Sequence, residues 1–435
     1  MLNRRLQVLS SVLVYFLLSI TNRPDFHDKR KHLRSVRDNT LALDRRTNYD
    51  WQIKRAPIMN DTGVVIMDWG VNSRAVRGKA IMDHLRNGRQ SSFGESSRAA
   101  ELPGSRRADR WAVILAGGDG TRLRPLTRLI AGDERPKQFC PVIGDQTLLD
   151  QTRNRVALAV RPDQTIFVVT QHHARFYKPL LGDVRRQQLV AQPKNVGTAS
   201  AILYGLLRLS QVAPSSSVAF FPSDHYFSDD DRFMSHVESA FEAAQVCEDL
   251  VILLGIQPDG PEVEYGWIEP ASPGLMKNPD ALCRVHRFWE KPTTHMAHAL
   301  MDMGCLWNSF VMVGRVSAFL EMIRRAAPEL YGRFDAVRPV LNTADEGRAI
   351  DGLYAQLRET NFSQQVLAAR PEDLAVLPVS GLRWSDLGQP GRVLSTMADI
   401  GLEPSRGAVL GFSHAAESRG QRVNLLTRDR EALTR

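Results

Sequence analysis

Residues 111–150 read WAVILAGGDGTRLRPLTRLIAGDERPKQFCPVIGDQTLLD, and this stretch decides the fold. An apolar run at 113–115 leads directly into a loop with three glycines. A short apolar run before such a loop is typical of a buried strand whose end forms a ligand-binding turn in an α/β sheet. Thr147 then begins a predicted helix over 147–158, because threonine is a preferred N-cap and apolar residues follow at helical spacing.

The chain beyond this stretch alternates further apolar runs with helical patterns. Strands are predicted at 165–170, 217–221 and 250–256, and helices over 198–209 and 230–246. This alternation predicts an α/β protein with a Rossmann-like, three-layer α/β/α arrangement around a mostly parallel central sheet. After Tyr265 several strand-like runs follow one another, which predicts a smaller sheet region that holds a second substrate.

Charge divides the 435 residues unevenly. Residues 1–110 hold 21 Lys+Arg against 11 Asp+Glu, whereas the remaining residues hold 35 against 37. The basic character therefore belongs to the N-terminal segment, and the main domain shows no charge pattern for binding nucleic acid. We predict a basic, disordered extension over 1–108, a main domain over 109–400 and a polar tail over 401–435.

The glycine loop and the residues after it carry the chemistry. Glycines let backbone N–H groups approach phosphate oxygens closely, and ligands bind at the C-terminal edge of such sheets. Leu123 stands where a dinucleotide fingerprint has its third glycine, and the Gly-Lys-Ser/Thr of a Walker loop is absent. The guanidinium of Arg122 can donate two parallel hydrogen bonds to a phosphate, and Lys137 supplies a compact positive charge. The stretch therefore predicts a site for a nucleoside triphosphate.

These residues resemble the opening of the sugar-nucleotide pyrophosphorylases, most closely the mannose-1-phosphate guanylyltransferases. The resemblance runs from about residue 111 to 393 through blocks in family order: LAGGDGTRLRPLTR (115–128), RPKQF (135–139), TLLDQT (147–152), QP (192–193) with GTA (197–199), FPSDH (221–225), YGWIE (265–269), FWEKP (288–292), LWNS (306–309) and WSDLG (384–388). The resemblance implies the nucleotidyltransferase fold and the catalytic domain only. Fewer than 50 residues follow Gly388, too few for the isomerase domain fused to some members.

The resemblance implies transfer of a nucleotidyl group to a sugar 1-phosphate with release of pyrophosphate, with GTP and mannose 1-phosphate as substrates and GDP-mannose as product. The attacking oxygen is already anionic, so cations, positioning and Mg²⁺ should do most of the work. Asp224 and Asp386 each follow a strand-like run and are the predicted Mg²⁺ ligands. They complete a predicted catalytic set with Arg122 and Lys137, while His225 is interpreted as structural.

Two further groups of residues follow from the resemblance. The predicted nucleotide-binding residues are Leu115, Ala116, Gly117, Gly118, Gly120, Thr121, Gln192 and Thr198. The predicted sugar-phosphate-binding residues are Gly266, Glu269, Glu290, Lys291 and Asn308. Within the second group Lys291 is expected on the phosphate, and Glu269 and Asn308 on sugar hydroxyls.

The chain departs from the family pattern at several positions. Gln192 replaces a frequent glutamate, Val196 stands where arginine is usual, and Cys140 stands where leucine is common. Phe310 occupies a position where glycine is expected, which predicts a narrower or displaced sugar pocket. Ser363 stands where the family has an aspartate, which weakens the assignment of mannose.

Two alternatives therefore stay open. One is a nucleotidyltransferase for another pair of nucleoside triphosphate and hexose 1-phosphate. The other is a non-catalytic sensor of nucleotide sugars, against which the intact predicted catalytic residues argue. A homo-oligomer is compatible with the sequence, and no nucleic-acid partner is expected.

The N-terminal segment allows three interpretations. Residues 6–20 (LQVLSSVLVYFLLSI) are shorter than the roughly 20 residues of a membrane span, and Ser19-Ile20-Thr21 is a poor cleavage site for a signal peptide. Residues 1–108 are a membrane anchor, a basic tail or the product of an upstream start codon that the cell does not use. We favour the third and expect a cytoplasmic protein, because export would separate a nucleotide-using enzyme from its nucleotide.

Overall fold

The computed structural model describes residues 109–272 and 281–402 together with two short strands, β1 (Ile58–Met59) and β2 (Val65–Ile66). The chain divides into two units, Met1–Phe93 and Gly94–Arg435, and the first contains β1 paired antiparallel with β2. Within the described residues, no helix has both the length and the apolar character to cross a bilayer. Residues 6–20 and most of the predicted extension and tail lie outside the described residues.

The second unit contains the elements that the sequence predicts and several others. Its strands are β3 (Arg110–Leu115), β4 (Thr165–Thr170), β5 (Leu189–Gln192), β6 (Ser217–Pro222), β7 (Tyr226–Phe227), β8 (Val251–Ile256), β9 (Gly266–Pro270), β10 (Cys283–Glu290), β11 (Leu306–Arg315), β12 (Leu374–Val379) and β13 (Trp384–Ser385). Its helices are α1 (Arg124–Ala131), α2 (Leu148–Ala157), α3 (Ala174–Leu180), α4 (Thr198–Val212), α5 (Asp230–Val246), α6 (Thr294–Asp302), α7 (Val316–Ala326), α8 (Pro328–Val337), α9 (Glu346–Gln356) and α10 (Pro390–Asp399).

The central sheet of the described part has nine strands in the order β5-β4-β3-β6-β11-β8-β12-β10-β9. The first four strands are parallel, as are β8 and β12, whereas β11 and β10 run antiparallel to their neighbours, so the sheet is mixed. The predicted smaller sheet region is not separate. Its strands β9 and β10 extend the central sheet, because β10 pairs with β12 and β9 pairs also with β11.

Both faces of the sheet are covered. Val113 of β3 belongs to one hydrophobic cluster and its neighbours Ala112 and Ile114 to another, as the alternation of side chains along a strand requires. The first cluster includes residues of α4, α7, α8 and α9, and the second includes residues of α2, α3, α5 and α6. The β3 side chains can therefore be apolar on both faces of the sheet. Polar functional residues are then expected in the segments that follow the ends of the strands.

The turn before α4 requires glycine. Gly197 has φ +91° and ψ 165°, a region that glycine alone adopts readily. A Cβ there would lie 2.3 Å from the carbonyl oxygen of Thr360. Thr360 N–H donates to Val196 O, and Thr360 O accepts from Ala199 N–H, each at 3.0 Å. Two distant segments are thus held together where no side chain fits.

Gly197→Ala is expected to lower the free energy of unfolding by about 3 kcal/mol, since strain and a backbone clash both act at this position. Chemical denaturation measures the change. Gly352→Ala is the matched control: Gly352 is exposed within α9, and an added Cβ meets nothing within 4 Å. The control should gain up to about 1 kcal/mol from helix propensity. Equal effects of the two substitutions would contradict the prediction.

Candidate active site

The glycine loop after β3 is held by side chains from three other segments. Gln138 Nε2 donates to the carbonyl oxygens of Ala116 (3.1 Å) and Gly118 (2.7 Å), and Thr170 Oγ1 donates to Gly117 O (2.8 Å). Ser223 donates to Leu115 O through its hydroxyl (2.8 Å) and its backbone N–H (3.1 Å). The loop is therefore fixed before any ligand binds, which favours electrostatic recognition.

Two positions of the loop require glycine because atoms of other segments approach them closely. A Cβ at Gly117 would lie 2.9 Å from Gln192 Nε2. Gly120 has φ +56°, and a Cβ there would lie 3.1 Å from the backbone nitrogen of Lys137. The loop consequently packs directly against the Lys137 segment, while Gly118 is exposed and a Cβ there meets nothing within 4 Å.

The structure places Gln192 against this loop and Thr198 at the start of α4, both in supporting positions. Gln192 is buried, and its Oε1 accepts a hydrogen bond from the Tyr354 hydroxyl at 3.0 Å. Thr198 Oγ1 accepts from Phe362 N–H at 2.9 Å. Gln192 is thus joined to α9 and Thr198 to the segment after α9, and their contact with a nucleotide base stays a prediction.

Lys137 brings the two predicted metal ligands together. Its side chain is only 10% exposed, and Nζ lies 3.4 Å from Asp224 Oδ2. The same nitrogen donates to the carbonyl oxygens of Asp386 and of Leu387, the latter at 3.1 Å. One buried cation thus joins the ends of β6 and β13 to the glycine loop. Attraction at such a site is stronger than in bulk water, because the effective dielectric constant is lower.

Asp386 is kept ionised although it is largely buried. Burial alone would raise its pKa, but Arg392 and Lys137 hold the pKa of this carboxyl below its ordinary value. Arg392 donates to Oδ1, and so do Gly388 N–H (2.8 Å) and the Tyr265 hydroxyl (3.4 Å). The guanidinium of Arg392 also lies over the Tyr265 ring, 4.5 Å from its centroid. Neither Arg392 nor Tyr265 was predicted as a site residue.

His225 lies between Asp224 and the aromatic interior. Its Nε2 is 3.7 Å from Asp224 Oδ1, and its ring meets Trp384 edge-on with centroids 5.4 Å apart. Burial lowers the pKa of His225, so that the imidazole is neutral at pH 7. These contacts suit the structural role interpreted from the sequence.

Two partly exposed cations, Arg122 and Lys291, lie close to one carboxylate oxygen of Glu264. Glu264 Oε2 lies 3.3 Å from Arg122 Nη1 and 3.8 Å from Lys291 Nζ. The Arg122 and Lys291 side chains are about half exposed, at 52% and 48%. The predicted nucleotide cation and the predicted sugar-phosphate cation are therefore neighbours. Sequence reasoning missed Glu264, because no motif marks it.

Four of the five predicted sugar-side residues lie on three paired strands, and Lys291 directly follows β10. Gly266 pairs with Glu290 between β9 and β10, and a Cβ at Gly266 would lie 3.1 Å from Glu290 Oε2. Glu269 Oε2 accepts a hydrogen bond from Trp289 Nε1 at 3.0 Å. Asn308 lies on β11, which pairs with β9 at the preceding residue. The sheet thus gathers residues that are widely spaced in the sequence.

The two departures on the sugar side also lie here. Phe310 has φ +60° and sits where the pairing of β11 with β8 shifts register. A glycine would adopt this conformation without strain, which explains why one is expected there, whereas phenylalanine is strained.

The Phe310 ring meets Phe362 edge-on at 6.3 Å, and the neighbouring Ser363 hydrogen-bonds Glu290. Burial raises the pKa of Glu290, and Lys291 and Ser363 partly oppose this rise.

Comparison with known proteins identifies the family. Residues 111–401 match the nucleotidyl transferase family, which is more than half of the chain. The chain belongs to the nucleotidyl transferase family. The match begins at the second residue of β3 and includes every predicted site residue of this chain.

Three similar proteins illustrate the relationship. The xanthan biosynthesis protein XanB of Xanthomonas campestris pv. campestris (strain B100) is 28% identical over 310 residues, covering 69% of this chain and 61% of the relative. A mannose-1-phosphate guanylyltransferase of Sinorhizobium fredii is 31% identical over 291 residues, covering 63% and 52%. A solved structure of "mannose-1-phosphate geranyltransferase" from Thermus thermophilus has a TM-score of 0.57 at 28% identity, covering 66% of this chain and 79% of that chain. The chain therefore spans between half and two thirds of the length of those two curated relatives.

Proposed function

We propose that the protein transfers a nucleotidyl group from a nucleoside triphosphate to a sugar 1-phosphate and releases pyrophosphate, with GTP and mannose 1-phosphate as substrates. The observation that carries this proposal is the convergence of Arg122 and Lys291 on one oxygen of Glu264. Cations for two different phosphates are within reach of one atom, as an attack of one phosphate on another requires. The names of the relatives support the choice of GTP and mannose 1-phosphate.

The reaction needs no general base in this proposal. An oxygen of the sugar phosphate forms a bond to the α-phosphorus, the bond from that phosphorus to the β-phosphate oxygen breaks, and pyrophosphate leaves with the electron pair. Lys291 holds the attacking phosphate, while Arg122 and Lys137 stabilise charge on the triphosphate. The framework is proposed to be the Rossmann-like, three-layer form of the nucleotidyltransferase fold.

Asp224 and Asp386 fit a magnesium ion by the chemistry of their donors. Mg²⁺ prefers one or two carboxylates together with phosphate oxygens and water. Lys137 contacts both residues, and Asp386 is held in its ionised form. Hydrogen bonds from Arg392 and Gly388 go to Asp386 Oδ1, so we assign Oδ2 to the metal. When bound, Mg²⁺ would neutralise charge on the triphosphate and on the leaving pyrophosphate.

Pyrophosphate release by the full chain tests the proposal. Each of the four nucleoside triphosphates is combined with mannose, glucose or galactose 1-phosphate in the presence of Mg²⁺. We expect turnover with GTP and mannose 1-phosphate, and its loss on chelation of the metal. Preference for another sugar 1-phosphate would overturn the assignment of mannose, and absence of turnover with every pair would refute the enzyme function.

We also infer a cytoplasmic location, where nucleoside triphosphates are available, and a role for the product in polysaccharide synthesis. The relatives named for xanthan and alginate biosynthesis support this role. Fractionation of cells that express the chain, followed by the pyrophosphate assay on each fraction, tests the location. Activity confined to the membrane fraction would contradict it.

Glu264→Gln is expected to lower KM for both substrates by about 2–5-fold with little change in kcat. Phosphate groups must displace the Glu264 carboxylate from Arg122 and Lys291, and exposed ion pairs contribute about 0.2–1 kcal/mol each. Steady-state kinetics with each substrate varied in turn provides the measurement. Glu329→Gln is the control, since Glu329 pairs with Arg333 on the surface of α8. A raised KM would show that Glu264 helps binding instead of opposing it.

A further inference from the structure

Three potential metal ligands meet beside the glycine loop and have no part in the proposed reaction. Asp119 belongs to the loop itself, and His172 and His173 follow directly after β4. Asp119 Oδ1 lies 3.0 Å from His172 Nε2 and 3.3 Å from His173 Nε2. The ligand atoms of all three residues lie within 4.8 Å of one another.

We propose that Asp119, His172 and His173 bind a transition-metal ion of the zinc class. Zinc in proteins is bound by imidazole nitrogen at about 2.0–2.1 Å and carboxylate oxygen at about 2.0–2.2 Å in tetrahedral geometry, which places neighbouring ligand atoms about 3.3–3.5 Å apart. The two separations from Asp119 Oδ1 are already close to that value. Two imidazoles and one carboxylate favour zinc and its neighbours over Mg²⁺, which selects oxygen ligands.

The surroundings orient these ligands. Asn195 Nδ2 donates to Asp119 Oδ2 at 3.0 Å, which leaves Oδ1 directed at the two histidines. Such outer-shell hydrogen bonds are typical of metal sites. His173 is only 3% exposed, and its ring meets Phe139 edge-on at 5.9 Å. The buried ring of His173 is thereby held in an orientation that places Nε2 next to Asp119.

The cluster is also accessible. The His172 side chain is 51% exposed and that of Asp119 is 33% exposed, so an ion can enter and retain a water molecule as fourth ligand. Three protein ligands with one open position are the arrangement of many zinc sites that exchange their remaining ligand. The site is therefore expected to take up zinc reversibly from solution.

An occupied site would act on the glycine loop. It would link the loop after β3 to the turn after β4, and it would cancel the charge of Asp119, which lies in a loop predicted to hold phosphates. Zinc is therefore expected to lower KM for the nucleoside triphosphate. This consequence rests on the proposed function, whereas the binding of the ion does not.

Competition with a chromophoric chelator tests the site in the full chain, with magnesium in large excess so that the Asp224 and Asp386 site is filled. We expect one zinc ion per chain in the wild-type protein. His172→Ala and Asp119→Asn should each weaken binding by more than the roughly 10–100-fold typical of losing an outer-shell partner. Cobalt(II) should give the intense visible absorption of a tetrahedral ion, and both variants should lose it.

His298→Ala serves as the matched control, since His298 is exposed on α6, and it should bind zinc as the wild-type protein does. Thermal unfolding checks that His172→Ala still folds, as the exposure of that residue leads us to expect. Equal zinc affinity in all variants, or no binding by the wild-type protein, would overturn the proposal. Zinc binding without nucleotidyl transfer by any substrate pair would refute the proposed function and leave this site intact.

Discussion

Asp386→Asn is expected to lower kcat by at least about 10²–10³-fold while the protein remains folded. The substitution keeps the shape of the side chain and an Oδ1 that can accept from Gly388 and Arg392. It removes the negative charge that we propose binds magnesium and that offsets the positive charge of Lys137. Loss of one preorganised electrostatic group in an active site typically has an effect of this size.

Measurement of pyrophosphate release over a range of Mg²⁺ concentrations, together with thermal unfolding, checks this prediction. Asp163→Asn is the control, because Asp163 precedes β4 at the opposite edge of the sheet and pairs with Arg161 on the surface. The control should keep its activity. Retention of most activity by Asp386→Asn would show that the metal assignment is wrong.

The same variant carries a prediction about pH. The folded-state pKa of Asp386 lies below the unfolded value of about 3.9, so its ionised form stabilises the protein above that pH and the contribution is lost as pH falls through the folded pKa. The stability difference between wild type and Asp386→Asn should therefore shrink below about pH 4. Chemical denaturation at neutral and acidic pH measures it, and a difference independent of pH would contradict the assigned charge interactions.

Lys137→Met is expected to lower kcat/KM for the nucleoside triphosphate by about 10²–10³-fold, with most of the loss in kcat. Methionine fills a similar volume but cannot donate to the carbonyl oxygens of Asp386 and Leu387, and it leaves Asp224 without its nearby cation. An interaction that strengthens as charge develops in the transition state appears in kcat more than in KM.

Single-turnover and steady-state kinetics distinguish these contributions. Lys178→Met is the matched control, since Lys178 is exposed on α3 and should tolerate the change. A variant in which only KM rises would show that Lys137 binds the ground state and the transition state equally. In Lys137→Met, the change in the free energy of unfolding should be smaller than the loss of transition-state stabilisation that the kinetics measure.

Local patterns predicted the elements of the fold but not their arrangement. The apolar run before the glycine loop and the helix opened by Thr147 are encoded by neighbouring residues, and they occur where expected. The position of β12 between β8 and β10 depends on a strand that follows β8 by more than 100 residues. No local periodicity carries that information, so the mixed sheet and the pairing of β9 and β10 with the central sheet emerged only from the structure.

The same distinction applies to the candidate site. Arg122 and Lys137 stand in motifs that can be read directly from the chain. Glu264 meets Arg122 across 142 residues, and His172 meets Asp119 across 53. Nothing in the local sequence distinguishes Glu264 or His172 from other polar residues. Only the folded structure brings Glu264 close to Arg122 and His172 close to Asp119.

Strand β11 has a consequence for how substrates are brought together. It runs antiparallel to β6, with Met312 opposite Phe220 and Arg315 opposite Ser217, so its first residues lie toward the end of β6 that Asp224 follows. Those first residues also pair with β8 and β9 near Asn308. In the proposed reaction, the start of one strand would therefore separate the nucleotide side from the sugar side, and a change in the bulge at Phe310 would alter that separation.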